Sequence, residues 1–163
     1  MQRYVQRLLE EGALSAQVIS PSSVVTAPWT VYKCRTGCTQ VGTNLRCPPF
    51  APSWKETQEM LACFETALLF SCEEMRKVSQ LALTVSREIF LDDYYKVIAF
   101  ASGPCKKCTP CNMELCIHPR ESLPSMEACG IDVFATARNN GIELHVLRDK
   151  SEPQRHFGLI LVD

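Results

Sequence analysis

Four cysteines lie within twelve residues of each other, at Cys105, Cys108, Cys111 and Cys116. Their spacing, C-x2-C-x2-C-x4-C, is close to the C-x2-C-x2-C-x3-C-P run with which bacterial ferredoxins hold an iron–sulfur cluster. Two-residue gaps let the chain curl so that successive sulfurs face one centre, whereas an apolar core gains nothing from thiols packed in this way. The run therefore predicts a metal centre, with these four cysteines as the cofactor-binding residues.

A second group of cysteines precedes this run, at Cys34, Cys38 and Cys47, and Cys129 follows it. Gly37 provides backbone freedom just before Cys38, which helps a loop to bring two sulfurs together. The two prolines after Cys47 keep the following segment out of a helix or a central strand. Cys129 is either a small buried residue, as free cysteines commonly are, or a remote fourth ligand.

Together these cysteines are sufficient for two four-thiolate centres, and the predicted metal ligands are Cys34, Cys38, Cys47, Cys105, Cys108, Cys111, Cys116 and Cys129. In two-cluster ferredoxins the fourth cysteine of the run binds the other cluster. By that analogy Cys116 joins the three N-terminal cysteines, and Cys129 completes the centre of the run. In the simpler partition the run closes one centre, and Cys129 joins the N-terminal three. The spacing leaves both partitions open.

The remaining cysteines and the histidines carry weaker signals. Cys63 and Cys72 are predicted to be structural, because each falls next to apolar positions and free cysteines are often buried. His118 is expected to face solvent rather than to bind metal, and neither His145 nor His156 forms a convincing Cys–His nucleophile pair. The chain has no G-x-G-x-x-G, P-loop or H-E-x-x-H motif, so no catalytic residue is assigned.

Sites made only of thiolates suit both tetrahedral zinc and iron–sulfur clusters. Zinc sites usually show two separated C-x2-C pairs. Here three cysteines follow one another at two-residue gaps, which fits the wrapping of a cubane better. The spacing therefore favours a [4Fe–4S] cluster, one or two per chain, with zinc as the alternative.

The chain has 163 residues, which predicts one domain over residues 1–163, and its net charge is −1 from 17 basic and 18 acidic residues. This balance provides no general field for nucleic acid or an anionic membrane. Cations nevertheless lie beside the cysteines, where each either stabilises an anionic cluster or is an ordinary solvated side chain. They are Lys33, Arg35, Arg46, Lys106, Lys107 and Arg120.

The chain shows no sign of export or membrane insertion. Its first residues carry charges of both signs without the apolar region of a signal peptide. No stretch approaches the roughly 18 apolar residues that a membrane span needs. These features predict a cytoplasmic protein, in which clustered cysteines bind metal more often than they form disulfides.

Short apolar runs alternate with helical periodicity along the chain. Two capping boxes, Ser53–Glu56 and Ser71–Glu74, predict helix starts, the first for a helix that ends at about Phe64. Helices are also predicted over residues 2–10 and from Pro124, with a new start at Asp132. Strands are predicted at 18–26, 30–32, 67–70, 94–101, 143–147 and 157–162. The expected class is α/β: a single-domain mixed sheet, parallel in the middle with an antiparallel C-terminal edge, with flanking helices and cysteine-rich metal-binding loops.

Four segments resemble a family of bacterial and archaeal predicted metal-binding proteins whose cysteine-rich domain has no assigned function. They are residues 34–38 (CRTGC), 47–52 (CPPFAP), 103–108 (GPCKKC) and 124–134 (PSMEACGIDVF). The resemblance spans essentially the whole chain and implies that the eight predicted ligands are the shared positions, with Cys63 and Cys72 outside the motif. Leu123 stands where the family pattern leads us to expect Arg. The resemblance implies metal binding without specifying the metal or a reaction.

Three functions fit these features. The first is a redox protein that passes electrons to or from a partner, with Lys106, Lys107 and Arg120 as a docking rim. The second is an iron–sulfur enzyme that acts on a small molecule. The third is a zinc-binding structural or metal-carrier module. The sequence indicates neither a substrate nor an oligomeric state.

Overall fold

The computed structural model describes residues 1–149 and 151–163, which form five α-helices and four β-strands. The helices are α1 (Gln2–Glu10), α2 (Pro28–Gly37), α3 (Trp54–Leu61), α4 (Met75–Leu91) and α5 (Val133–Asn139). The strands are β1 (Ser15–Ile19), β2 (Thr66–Cys72), β3 (Val97–Phe100) and β4 (His156–Val162). The predicted α/β class is confirmed.

The four strands form one sheet in the order β1-β2-β4-β3, and each ladder in the described residues is antiparallel. The expected parallel centre and antiparallel C-terminal edge are therefore wrong. The β2-α4-β3 segment does run its two strands in the same direction, but β4 lies between them and is antiparallel to both. The last strand thus occupies the interior of the sheet, where both of its edges are paired.

Both faces of the sheet are covered by helices or by ordered loop. On one face α1 and α4 pack on inward side chains such as Leu68, Phe70 and Ile160. On the other face α3, α5 and residues 124–131 cover Leu69 and Leu161. Because a strand alternates its side chains between the two faces, burial on both sides explains why β2 and β4 read as nearly continuous apolar runs.

The helix-capping signals had different outcomes. At the start of α3 the Ser53 hydroxyl accepts a hydrogen bond from the Glu56 N–H at 3.3 Å, and the Glu56 carboxylate accepts one from the Ser53 N–H at 2.7 Å, as predicted. The second capping box is wrong, because Ser71 lies inside β2 and is buried. Pairing of β2 with two neighbours satisfies more backbone groups there than a helix start would, so α4 begins at Met75.

Several other predicted boundaries are wrong for local reasons. Residues 30–32 belong to α2, because Pro28 occupies the first helical turn, where its missing N–H costs nothing. No α-helix starts at Pro124, whose carbonyl instead accepts a hydrogen bond from the Ala101 N–H at 2.9 Å. Residues 143–147 form no strand, α3 ends at Leu61, β1 ends at Ile19 and β3 begins only at Val97. The predicted restart at Asp132 is confirmed, since its carboxylate caps α5.

None of the helices in the described part of the chain combines the length and the apolar character that crossing a bilayer requires.

Gly158→Ala should destabilise the fold by about 1–3 kcal/mol, because the site is overpacked by an added methyl group. Gly158 lies in β4 opposite Phe70, and a Cβ there would lie 2.5 Å from the Phe70 ring and 2.9 Å from Val78. Urea unfolding measures the change. Gly37→Ala is the matched control, because nothing lies within 4 Å of a Cβ at that position. Equal free energies of unfolding for the two variants would contradict the packing described here.

Candidate metal centre

The cysteine run lies on a long loop, residues 102–123, whose two ends are held together beside the sheet. The Ala101 N–H donates to the Pro124 carbonyl at 2.9 Å, and the Met126 N–H donates to the Ala101 carbonyl at 3.0 Å. These bonds extend β3 by one parallel bridge between Ala101 and Ser125. The loop therefore leaves and re-enters the fold at one fixed point, which confines its four cysteines to a small region.

All four cysteines of the run line one small cavity, and each of them is partly buried. Burial raises the pKa of the Cys108 thiol, and the neighbouring Cys111, Cys105 and Cys116 raise it further. Thiolates bound to a metal must be deprotonated. A cation at the centre of this group would offset the repulsion that now favours the neutral thiols.

The Ser122 hydroxyl and the Arg46 guanidinium act on one member of this group. Ser122 Oγ lies 3.6 Å from Cys116 Sγ and is the main cause of the lowered pKa of that thiol, against the opposing effect of desolvation. The His118 backbone and Arg46 lower the pKa of Cys116 further. Arg46 places its Nη2 atom 3.9 Å from the same sulfur and donates from Nε to Ser122 Oγ at 3.0 Å. Cys116 is thus the thiol of the run whose ionisation the surrounding residues favour.

The three N-terminal cysteines come from α2 and the loop that follows it. Cys34 lies on α2, and Cys38 ends that helix by donating its N–H to the Cys34 carbonyl at 3.0 Å. Cys47 is buried, and the Asn44 side-chain amide donates to its sulfur at 3.3 Å. Burial raises the pKa of both Cys34 and Cys47, and Cys38 contributes to both shifts. The three thiols therefore lie within electrostatic reach of one another.

Cys129 lies in the short turn that packs against α2 and is fully buried. Burial raises the pKa of its thiol to about 12, with further contributions from Glu127 and Cys47. Because Cys47 acts on its pKa, Cys129 is an electrostatic neighbour of the three N-terminal cysteines. The same turn is held by backbone bonds between residues 25–27 and 130–132, including the bond from the Ala27 N–H to the Gly130 carbonyl at 2.8 Å.

The two groups of thiols are themselves adjacent. Cys105 contributes to the raised pKa of Cys47. Arg46, next to Cys47 in the chain, reaches across to the loop of the run, where its Nη2 donates to the Pro119 carbonyl at 3.4 Å. A cation that the sequence placed beside one cysteine group therefore contacts the other.

The donor chemistry of these groups fits a thiolate-bound metal. Every cysteine in the described residues is a free thiol, and soft sulfur ligands suit zinc or an iron–sulfur cluster. Over residues 1–149 and 151–163, however, no three Cys, His, Asp or Glu side chains form a ready-made metal site. The sulfurs of the run share a cavity without converging on one point.

The other predicted residues are placed as follows. Cys72 is buried in the α1/α4 core as expected, and burial raises the pKa of its thiol to about 11. The packing role expected for Cys63 is wrong: because α3 ends at Leu61, this thiol is exposed and donates to the Glu59 carbonyl at 3.4 Å. His118 is partly buried on the wall of the cavity, 3.7 Å from Glu121.

Sequence reasoning missed Asn44 and Ser122, whose side chains contact cysteine sulfurs in this structure. Neither has a signature of its own: a single Asn three residues before a cysteine and a single Ser six residues after one are common in loops. Leu123, at the position where the resemblance predicts Arg, packs instead against the α1/α4 core.

In the metal-free protein, iodoacetamide should modify Cys116 at lower pH than Cys108. The thiolate is the nucleophile; the lowered pKa of Cys116 gives it more thiolate at a given pH, and the raised pKa of Cys108 gives it less. Peptide mass spectrometry from about pH 6 to about pH 9 measures the two profiles. Arg46→Gln should narrow the difference, whereas Arg120→Gln should not. If Cys116 and Cys108 reacted with the same pH dependence in the protein without substitutions, the opposite pKa shifts assigned to them would be contradicted.

Comparison with known proteins agrees with the donor chemistry. A family described as "Predicted metal-binding protein (DUF2284)" matches residues 17–162. The match includes all eight cysteines that were predicted as ligands, and the resemblance seen in the four motifs is confirmed. No curated protein and no solved structure matches the chain. Since the match extends over nearly the full sequence, the chain belongs to this family of predicted metal-binding proteins.

Proposed function

We propose that the protein binds a [4Fe–4S] cluster through Cys105, Cys108, Cys111 and Cys116 and transfers electrons to or from a partner protein. The observation that carries this proposal is the run itself, whose four thiols line one cavity on a loop clamped at both ends. Two-residue gaps between three successive ligands are typical of cubane clusters. The bound cluster would supply one-electron chemistry, and the protein would supply its ligands, its charge environment and its surface.

The proposal places a second centre at Cys34, Cys38, Cys47 and Cys129. It is supported by the raised pKa values of three of these thiols: burial is the main cause, Cys38 contributes at Cys34 and Cys47, and Cys47 contributes at Cys129. Cys116 instead interacts with Cys108 and with Ser122 on its own loop. Cys105 of the run also acts on Cys47, but Cys116 is not among the groups that act on Cys34, Cys47 or Cys129, which supports the simpler partition over the exchange of Cys116 and Cys129 between centres.

Electron transfer to a partner is supported by the surface around the run. Leu115 and Ile117 on the same loop are 70% and 61% exposed. Exposed apolar side chains next to a redox centre, ringed by charge, are features of surfaces that dock transiently. Lys106 and Arg120 are exposed nearby, while Lys107 is paired with Glu121 at 3.1 Å. A partner whose docking surface has an acidic rim fits this surface. The reducing cytoplasm, where we place the protein, would keep the thiols from forming disulfides. Neither a nucleic acid nor a membrane is part of the proposal.

An enzyme acting on a small molecule is the second candidate, because a cleft opens beside Cys34 and Cys38. A cluster with an open iron position would favour this role, whereas full cysteine ligation favours electron transfer. A zinc-binding structural or carrier module is the alternative. Measurement of the zinc and iron content of the purified protein distinguishes it from the iron–sulfur proposal.

Anaerobically purified protein should contain about four iron and about four sulfide per occupied centre and should absorb at about 400 nm. Cys108→Ala should remove the iron of the run and destabilise the fold, because bound metal contributes folding free energy. Cys63→Ala is the matched control. This exposed thiol lies outside both cysteine groups, so the iron content of the Cys63→Ala protein should stay unchanged. Zinc without iron, or a Cys108→Ala protein with its full metal content, would contradict the proposal.

The partition between centres can be measured with double variants. If Cys108 and Cys116 hold the same cluster, Cys108→Ala with Cys116→Ser should lose no more iron than Cys108→Ala alone. Cys108→Ala with Cys129→Ser should lose the iron of both centres. Iron and sulfide analysis on folded, anaerobically prepared variants distinguishes the two cases, and the reverse pattern would assign Cys129 to the run.

A further inference from the structure

We propose that the protein binds a small organic carboxylate in the cleft beside Cys34 and Cys38, with Arg155 as the residue that recognises the carboxylate. The cleft has a volume of about 670 Å³, within the range of small-molecule sites. Its walls come from α2, from residues 131–134 and from the two segments 143–147 and 153–157. The inference goes beyond electron transfer and does not depend on which metal the protein binds.

The walls of the cleft are mainly apolar and include aromatic rings. Trp29 and Phe134 line it with 49% and 37% of their surfaces exposed, and Val146 is 74% exposed. Ile131 and Phe157, both buried, form its base. Burying such apolar side chains against the hydrocarbon part of a ligand removes both from water, which is favourable.

Arg155 is a cation in this cleft that has only neutral hydrogen-bond partners. Its Nε donates to Ser71 Oγ at 3.0 Å and one Nη donates to Ser15 Oγ at 2.9 Å, while the guanidinium lies 5.5 Å from the centre of the Phe157 ring. The side chain is partly buried, and among the described residues no carboxylate lies within ion-pair distance of it. A partly desolvated charge without a counter-ion is unfavourable. The remaining donors of the guanidinium suit the two oxygens of a carboxylate.

The other charged side chains that line the cleft are Lys33 and the carboxylates of Glu127, Asp132 and Glu143. Lys33 acts on Glu127, and the Asp132 carboxylate accepts the N–H of Ala135 at 2.9 Å as the cap of α5. Among the described residues none of these carboxylates lies within ion-pair distance of Arg155, so its guanidinium is available to a carboxylate from a ligand. A single guanidinium without a counter-ion beside an apolar base fits a monoanion with a hydrocarbon body, whereas the three carboxylates of the cleft would repel a multiply charged phosphate ester more strongly.

Isothermal titration calorimetry on the metal-loaded protein tests the proposal with phenylacetate and hexanoate as probes, and with phenylacetamide and phenyl phosphate for comparison. The two carboxylates should bind saturably with a Kd of about 1 mM, as expected for ligands of this size. The neutral amide should bind at least about tenfold more weakly, because it cannot neutralise the guanidinium.

Arg155→Gln should weaken phenylacetate binding by about tenfold or more while leaving the metal content unchanged. Because Arg155 also joins two strands through Ser15 and Ser71, Phe134→Ala is the second variant, and it should weaken binding without touching those bonds. Arg87→Gln, at an exposed arginine of α4 that does not line the cleft, is the matched control.

Lack of saturable binding by both carboxylates up to about 10 mM would overturn the proposal. Equal affinity for the amide, tighter binding of phenyl phosphate, or an unchanged affinity in both Arg155→Gln and Phe134→Ala would also overturn it. Because metal content is measured separately, failure of ligand binding is distinguishable from failure of the proposed iron–sulfur centre.

Discussion

The backbone pairing of Ala101 with Pro124 and Met126 is the constraint on which the candidate centre depends. Two hydrogen bonds at the end of β3 close the loop of residues 102–123 at its base. Without them the two ends of this loop would be less closely fixed, and bringing the four sulfurs together would cost more conformational entropy. The sheet supplies this closure, since β3 is itself held by β4 in the interior. Strand β4 thus supports the candidate site indirectly, since none of its side chains lines the cavity of the run.

The chemistry of the chain could be predicted from its sequence to a greater extent than its topology. Cysteine spacing predicted a metal-binding chain, in agreement with the family match, and the four thiols of the run line one cavity. Periodicity identified α4, whose buried positions Val78, Val85 and Ile89 all face the sheet. Strand order was wrong, because an alternation of strands and helices does not reveal that β4 inserts between β2 and β3. The helical start at Pro28 was missed because the apolar residues after it fit a short strand equally well.

Contacts made through tertiary structure account for the remaining gaps. Ser71 has the spacing of a helix cap, yet it is buried in a strand, where it lies 2.8 Å from Ser15 Oγ. Asn44 and Ser122 contact sulfurs only because the loops that carry them meet in space. Residues 143–147 alternate like a strand but form part of the wall of the cleft instead. In each case a short local pattern was compatible with two structures, and packing against distant residues selected one of them.

Arg46 has a further consequence for the way the two cysteine groups behave. Its side chain is anchored at Ser122 and Pro119 on one loop, while its backbone N–H is bound by the Asn44 side chain that also reaches Cys47 on the other loop. Restriction of either loop therefore narrows the conformations open to its neighbour, which is a form of cooperativity that needs no change of shape. If both proposed centres are present, occupation of one would lower the ordering cost of filling the other.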